Sequence, residues 1–271
     1  MLPKKTIYYK DLVNDDFANT GFDYKPLPDN FKYSTRNPIA KFFGFIFYYA
    51  FGIPILWIYA KIATHFRIIG KKKLRKSRLK GGYFIYGNHT SACDAMFVPA
   101  GLLPPKRVAI VCGQAAVSKA FARPFEMALG ALPLPETPNQ KKAYTEEMAK
   151  RLHKGHAILI FPEAHIWPYC TMIRPFPDTS FTYPATLNAP VVAVCTTYER
   201  RKICPNGKPR AVIHVSEPFY PDMDKSLGER THLLREAVYN FMVETSSSLD
   251  NVEYYRYVPY KEEGEQSQEE K

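Results

Sequence analysis

The segment GGYFIYGNHTSACDAMF covers residues 81–97. Its apolar run, residues 83–86, predicts a short buried strand. A turn containing His89 follows directly, and Asp94 stands near the start of a predicted helix. A buried strand that leads through a tight turn into a helix is typical of α/β proteins, in which sites lie where strands end.

The rest of the chain continues this alternation of strands and helices. Further strands are predicted over residues 107–111, 131–134, 156–161, 190–198 and 211–216. One helix is expected from Pro138, capped by Thr137, to Gly155, and another over residues 224–246. The sequence therefore predicts an α/β fold with a mixed, largely parallel sheet flanked by helices.

Two segments carry candidate chemistry. If the turn after the first strand folds back, the Asp94 carboxylate can meet one ring nitrogen of His89 and leave the other free to take a proton. The chain has no G-x-S-x-G nucleophile elbow, so this pair would activate a hydroxyl of the substrate; a purely structural pair remains the alternative. In the second segment, residues 158–176, Glu163 could bind substrate hydroxyls and the Arg174 fork suits a phosphate.

Together these segments resemble the lysophospholipid acyltransferase family, also called the PlsC-like or 1-acylglycerol-3-phosphate acyltransferase family. The N-H-x-x-x-x-D motif is matched by Asn88, His89 and Asp94, and the F-P-E half of a later motif by residues 161–163. The apolar segment 189–194, APVVAV, is similar to the family's last motif, and the resemblance covers residues 81–216.

Two departures concern the acceptor. The family's Gly-Thr-Arg after the Glu is replaced by Ala164, His165 and Ile166, and the second motif, between residues 121 and 136, lacks its usual Arg. Both arginines are associated in the family with the acceptor phosphate. Arg174, together with Lys119 or Arg123, is an alternative source of that charge; an acceptor without a glycerol phosphate is the other explanation.

The resemblance implies a PlsC-like fold and direct acyl transfer. His89 would be the general base and Asp94 its partner, while Asn88, Glu163, Arg174 and His165 would bind substrate. The expected donor is acyl-CoA or acyl-carrier protein, and the expected acceptor is a lysophospholipid or glycerol phosphate, first of all 1-acyl-sn-glycerol-3-phosphate. No cofactor and no metal are expected. The rival hypotheses are a non-catalytic lipid-binding scaffold of the same fold and a CoA-independent transacylase.

Residues 37–68 predict an apolar, membrane-associated segment. Residues 1–36 predict an irregular tail with one short helix around residues 9–17. Within residues 37–68, the uncharged run 42–60 is 19 residues long, close to the ~20 that span a bilayer. It predicts either a spanning or half-embedded helix or, alternatively, a helical hairpin buried in the core or packed on the domain surface. The expected acyltransferase domain covers residues 69–260, and residues 261–271 predict a disordered polar tail.

The charge distribution points to the same partner. The formal net charge is +11, and the run 71–80, KKKLRKSRLK, holds seven basic residues and no acid. Such a run next to an apolar anchor attracts anionic headgroups and favours the cytoplasmic face. No nucleic-acid-binding signature accompanies it, so a membrane lipid is the expected partner and nucleic acid is not. The five cysteines include no C-x-x-C pair, which argues against a zinc site.

Overall fold

The computed structural model of the protein describes residues 2–18, 24–35, 37–77, 79–247 and 251–260. Its strands are β1 (Lys5–Tyr9), β2 (Arg67–Ile69), β3 (Tyr83–Gly87), β4 (Val108–Cys112), β5 (Ala131–Pro133), β6 (Ala157–Ile160), β7 (Val191–Glu199), β8 (Arg210–Val215) and β9 (Tyr255–Pro259). Its α-helices are α1 (Pro38–Ile46), α2 (Ile53–Thr64), α3 (Lys71–Lys76), α4 (Asp94–Met96), α5 (Arg123–Ala128), α6 (Pro138–His153), α7 (Thr182–Leu187) and α8 (Leu227–Ser246). Two π-helical segments, Phe47–Gly52 and Phe97–Leu102, and two 3₁₀ segments, Gln114–Val117 and Asp178–Phe181, complete the elements described.

A seven-stranded sheet forms the centre of the fold. Its strand order is β2-β8-β7-β3-β6-β4-β5. Every neighbouring pair is parallel except β7 and β8, which run antiparallel from Val194 opposite Val215 to Glu199 opposite Arg210. The predicted α/β class, with a mixed and largely parallel sheet, is confirmed.

Both faces of the sheet are covered. In β3, which is buried throughout, Phe84 and Tyr86 belong to a core cluster with α6, α7 and α8. Tyr83 and Ile85 belong to a second cluster that includes Ala60 of α2 and the segment after α4. This burial on two sides explains why the strand is continuously apolar rather than alternating. It also fixes the turn after β3 between two packed layers.

The N-terminal apolar segment is one long helix, Pro38–Thr64, that lies along the domain. A π-helical segment precedes Pro54, which has no backbone N–H to give to a regular helix. A stripe at four-residue spacing faces the domain: Gly44, Tyr48, Gly52, Leu56 and Ala60. Large apolar side chains cover the remaining surface: Ile39, Phe42, Phe43, Phe45, Ile46, Phe51, Ile55, Trp57, Ile58, Tyr59 and Ile62. The segment is therefore neither a hairpin nor buried in the core, although it does pack on the domain surface as the alternative expected. By length and composition this helix could cross a membrane, and 11% of its apolar window is buried.

The N-terminal tail is more ordered than the sequence predicts. Instead of an irregular segment with a helix around residues 9–17, it contains β1, which pairs in parallel with β9 from the other end of the chain. Turns replace the predicted helix, because the Asp11 and Asp15 carboxylates accept hydrogen bonds from nearby backbone N–H groups. β2 also begins two residues before the predicted domain boundary at residue 69. The predicted disordered tail, 261–271, lies outside the described residues.

Candidate active site

His89 and Asp94 meet in the turn between β3 and α4. His89 Nδ1 lies 3.3 Å from Asp94 Oδ2. The Asp94 side chain is 1% exposed, whereas that of His89 is 14% exposed. No protein group among the described residues bonds His89 Nε2, so a proton on Nδ1 would leave Nε2 as an acceptor on this partly exposed ring.

The backbone of the same turn fixes the carboxylate. Asp94 Oδ2 accepts hydrogen bonds from the N–H of Thr90 at 2.6 Å and of Ser91 at 2.8 Å. These bonds require the chain to fold back over four residues, as the five-residue separation of His89 and Asp94 predicts. Because these two donors belong to the backbone of the same turn, they hold the carboxylate beside the imidazole.

Asn88 ties the turn to the neighbouring strand. Its side-chain carbonyl accepts from the Thr196 N–H at 2.7 Å, and its NH₂ donates to the Thr196 carbonyl at 3.0 Å. The Thr90 hydroxyl bonds the Tyr198 hydroxyl at 2.7 Å on the same strand, β7. The turn that carries His89 is therefore anchored on β7 by buried polar contacts.

Glu163 links the second segment to the first. One carboxylate oxygen accepts from the His89 N–H at 3.0 Å and from the Arg174 guanidinium at 3.1 Å. The other oxygen accepts from the Arg174 N–H at 3.0 Å. Arg174 Nη2 also donates to the carbonyl of His165. This buried ion pair closes the loop between residues 163 and 174 and fixes it against the backbone of His89.

Aromatic side chains from both ends of the chain cover that loop. Trp167, fully buried, lies under the Arg174 guanidinium at 4.8 Å and stacks on Tyr257 of β9 at 4.9 Å. Phe17 meets the same indole edge-on at 5.0 Å, and the indole N–H donates to the Asp15 carbonyl at 2.7 Å. The backbone N–H of Trp167 donates to the backbone carbonyl of His89 at 3.0 Å. The N-terminal tail and β9 thus brace the turn of His89 through Trp167, a role that local sequence does not show because these two segments lie about 150 residues before it and about 90 residues after it.

Phe161 is a second residue that the sequence reasoning left without a role. Its ring stacks on the His89 imidazole, with centroids 4.1 Å apart and planes 10° from parallel. Gly87 makes this possible, since a Cβ there would lie 3.1 Å from the Phe161 ring. The aromatic of the F-P-E motif therefore orients the imidazole plane, while the carboxylate of the same motif bonds its backbone.

The expected substrate-binding residues divide into two groups. Asn88, Glu163 and Arg174 are at most 4% exposed, and their bonds described above hold the protein together instead of facing a headgroup. The physical reason is that carboxylate and amide groups this deep need protein partners; Arg174 Nε and Nη1, by contrast, have no hydrogen-bond partner among the described residues. His165 differs, with a side chain 37% exposed and its Nδ1 4.0 Å from Asp16 Oδ2.

No protein nucleophile is positioned to compete with a substrate hydroxyl in this turn. The Ser91 hydroxyl accepts from the Cys93 N–H, and burial raises the pKa of the Cys93 thiol. Among the described residues, no group of three or more His, Cys, Asp or Glu side chains could hold a metal ion. The arrangement is a partly exposed imidazole beside a fixed carboxylate, which is chemically able to take a proton from a bound hydroxyl.

Comparison with known proteins identifies a family profile and a similar fold. Residues 65–197 match the profile of the family described as Acyltransferase. The fold is similar to the crystal structure of the 1-acyl-sn-glycerophosphate (LPA) acyltransferase PlsC from Thermotoga maritima, with a TM-score of 0.54 and 14% identity over 79% of this chain and 97% of that one. No curated protein matches the chain in sequence.

Proposed function

Residues 65–197 match the Acyltransferase family and the chain has a PlsC-like fold, and from this premise we propose that the protein transfers a fatty acyl group from a thioester to a hydroxyl of a glycerolipid, with His89 as the general base. The observation that carries the proposal is the 3.3 Å contact between His89 Nδ1 and a carboxylate fixed by two backbone N–H groups. A structural pair would gain nothing from leaving the imidazole partly exposed with Nε2 free.

The reaction needs one proton acceptor and no covalent enzyme intermediate. His89 Nε2 takes the proton of the acceptor hydroxyl as that oxygen attacks the thioester carbonyl. The new ester C–O bond forms, the C–S bond breaks, and the imidazolium returns its proton to the departing thiolate. Asp94 stabilises the imidazolium charge between these steps. Positioned general-base catalysis supplies about 10²–10⁴-fold, and alignment of the two substrates supplies much of the rest.

The proposed acceptor rests on the named activity of a similar protein and on which predicted binding residues are accessible. The name of the Thermotoga maritima protein states a 1-acyl-sn-glycerophosphate acceptor, and this compound is the first to test here. Because Arg174 is paired with Glu163 and is 1% exposed, it is a positioning residue in this proposal and not the phosphate fork. His165, the accessible member of the predicted set, is the side chain proposed to contact the acceptor.

A membrane would supply the acceptor. The N-terminal helix contacts the domain along its whole length, and α2 packs on α4, the helix that begins at Asp94. A helix of 27 residues is about 40 Å long, so setting it across a bilayer would draw the domain in with it. We propose that it lies in the membrane interface with its apolar surface toward the acyl chains, on the cytoplasmic face, where the basic helix α3 meets anionic headgroups.

Purified protein with labelled acyl-CoA and a panel of lysophospholipids tests the proposal. We expect release of free CoA and a diacyl product with 1-acyl-sn-glycerol-3-phosphate, and loss of at least about 10²-fold in His89→Ala. His232→Ala is the matched control, because that imidazole also bonds an aspartate, at 3.1 Å, but on the surface. Full turnover in His89→Ala would overturn the assignment. Product formed without any acyl-CoA, from a second phospholipid, would replace it by a transacylase.

A further inference from the structure

A long apolar groove lies between α1 and α5, away from the catalytic turn. Its volume is about 1250 Å³, and Phe43, Phe47, Phe51 and Phe125 line its walls. No residue of the segments 87–94 or 161–174 lines it. We call it the amino-edge groove, because Arg107 and His156 at its floor directly precede β4 and β6.

The groove and the catalytic turn lie at opposite ends of the parallel strands. Ala157, next to the groove residue His156, pairs with Tyr83 at the start of β3. β3 runs from Tyr83 to Gly87 before the turn that carries His89, and at about 3.3 Å per residue its two ends are about 13 Å apart. A molecule held at the amino-edge groove therefore does not occupy the position of the reacting hydroxyl.

The rim of the groove is strongly basic. Among its lining residues, Lys32, Lys41 and Lys154 make no ion pair with any carboxylate in the described part of the chain. The acidic lining residue Glu147 is already bonded by Lys150 and Arg151. This leaves an excess of positive charge around an apolar wall, which favours an amphipathic anion over a neutral or cationic amphiphile.

The half-buried His156 lies beside several of these cations. The pKa of His156 is lowered to about 4. Partial burial of the ring is the first cause, and the positive charges of Arg107, Arg151 and Lys154 are the next.

We propose that the amino-edge groove binds one anionic phospholipid of the membrane, with its acyl chains along Phe43, Phe47 and Phe125 and its phosphate at the lysine rim. Two of its lining residues, Phe43 and Phe45, are 63% and 54% exposed on the helix proposed to lie in the membrane interface. Its volume exceeds the roughly 300–1,000 Å³ of sites for drug-sized ligands, which leaves room for chains as well as a headgroup. A free phosphate would leave the apolar walls unused.

Photocrosslinking of the full chain tests this site. The probe is phosphatidylglycerol with a diazirine in one acyl chain, in phosphatidylcholine vesicles; a second preparation carries the label on phosphatidylcholine. We expect peptides containing residues 43–51 and 125–128 to be labelled by phosphatidylglycerol in preference to phosphatidylcholine. The yield of groove adducts is divided by the yield of adducts at Ile58 and Ile62, which lie on the same helix outside the groove. This ratio reports groove occupancy separately from membrane binding.

Three variants make the test specific. Lys32→Gln/Lys41→Gln/Lys154→Gln should lower groove labelling by at least about fivefold, the factor that one lysine near an anionic headgroup contributes. The matched control, Lys71→Gln/Lys72→Gln/Lys76→Gln, removes as many charges from α3 and should leave the ratio unchanged. Ala40→Trp, at an exposed lining position, should block the groove sterically.

The outcome is independent of the transfer reaction. His89→Ala should retain full groove labelling, since His89 lies at the other end of the strands. Equal labelling by the two lipids, or no effect of the lysine substitutions, would overturn the proposal. So would displacement of the groove adducts by an equimolar amount of palmitoyl-CoA, which would make the groove part of the donor site.

Discussion

Replacing Asp94 by Asn removes one charge and almost no volume, and it isolates what the carboxylate contributes to acyl transfer. The Asn carbonyl can still accept from the N–H groups of Thr90 and Ser91, so the turn should keep its shape. What is lost is the negative charge 3.3 Å from His89 Nδ1. Two unit charges at that separation interact by about 5 kcal/mol at an effective dielectric constant of about 20.

This attraction between Asp94 and His89 stabilises the imidazolium that forms when His89 takes the proton of the acceptor hydroxyl. Because the amide dipole retains part of it, we expect the rate of acyl transfer to fall by about 10³-fold, near the about 10⁴-fold seen when the same change is made in a Ser-His-Asp triad. The assay is thiol release from acyl-CoA under single-turnover conditions with saturating acceptor, which separates the chemical step from product release. Nitrogen-15 NMR of labelled histidine would show whether the proton has moved from Nδ1 to Nε2.

Asp178→Asn is the matched control. This carboxylate bonds His232 at 3.1 Å, but the two side chains are 43% and 59% exposed, and its loss should leave the rate within about twofold because surface pairs are worth about 0–1 kcal/mol. If Asp94→Asn kept its activity within about tenfold of the unmodified protein, with an unchanged melting temperature, the carboxylate would not be stabilising an imidazolium. The reasoning about the pair would then fail.

Three further predictions concern the buried ion pair, the membrane surface and acid stability. Glu163→Gln should lower the free energy of unfolding by about 3–5 kcal/mol, because it leaves the Arg174 guanidinium buried without its partner; urea denaturation measures this. Ile58→Glu should weaken vesicle binding by about tenfold or more, since a side chain that is 51% exposed would no longer enter the apolar interface; co-sedimentation measures this. His156→Gln should flatten the loss of stability between pH 6.5 and pH 4, where the unfolded chain takes up a proton that folded His156, with a pKa of about 4, does not; the effect is at most about 3 kcal/mol and is followed by thermal melting.

Each of these variants has a matched control. Glu236→Gln alters a partly exposed pair with Arg235 and should change the unfolding free energy by less than about 1 kcal/mol. Leu233→Glu changes an equally exposed residue on α8, across the sheet from the N-terminal helix, and should leave vesicle binding intact. His153→Gln changes an exposed histidine and should preserve the pH dependence. A control that behaved like its test variant would show that exposure or charge alone, and not the stated contact, determines the result.

Local patterns in the sequence determined much of this protein. The continuous apolar strands and the capped helix from Thr137 follow from burial on two faces and from N-terminal capping, which act over a few residues. The pairing of His89 with Asp94 belongs to the same class, because a turn of five residues can bring two side chains together whatever surrounds it. For that reason the class of fold and the central pair were predictable from spacing.

Only the tertiary structure decided the tasks of Glu163, Arg174 and Trp167. Their side chains could equally have faced a substrate, and what commits them inward is contact with groups far away in sequence: Glu163 bonds the N–H of His89, 74 residues earlier, and Trp167 stacks between the N-terminal tail and β9. The same holds for the apolar helix, whose composition is uniform along residues 42–60 and so does not show which stripe meets the domain. Long-range packing selects among side chains that local pattern leaves equivalent, since burial energy depends on what lies opposite a residue and not on its neighbours in the chain.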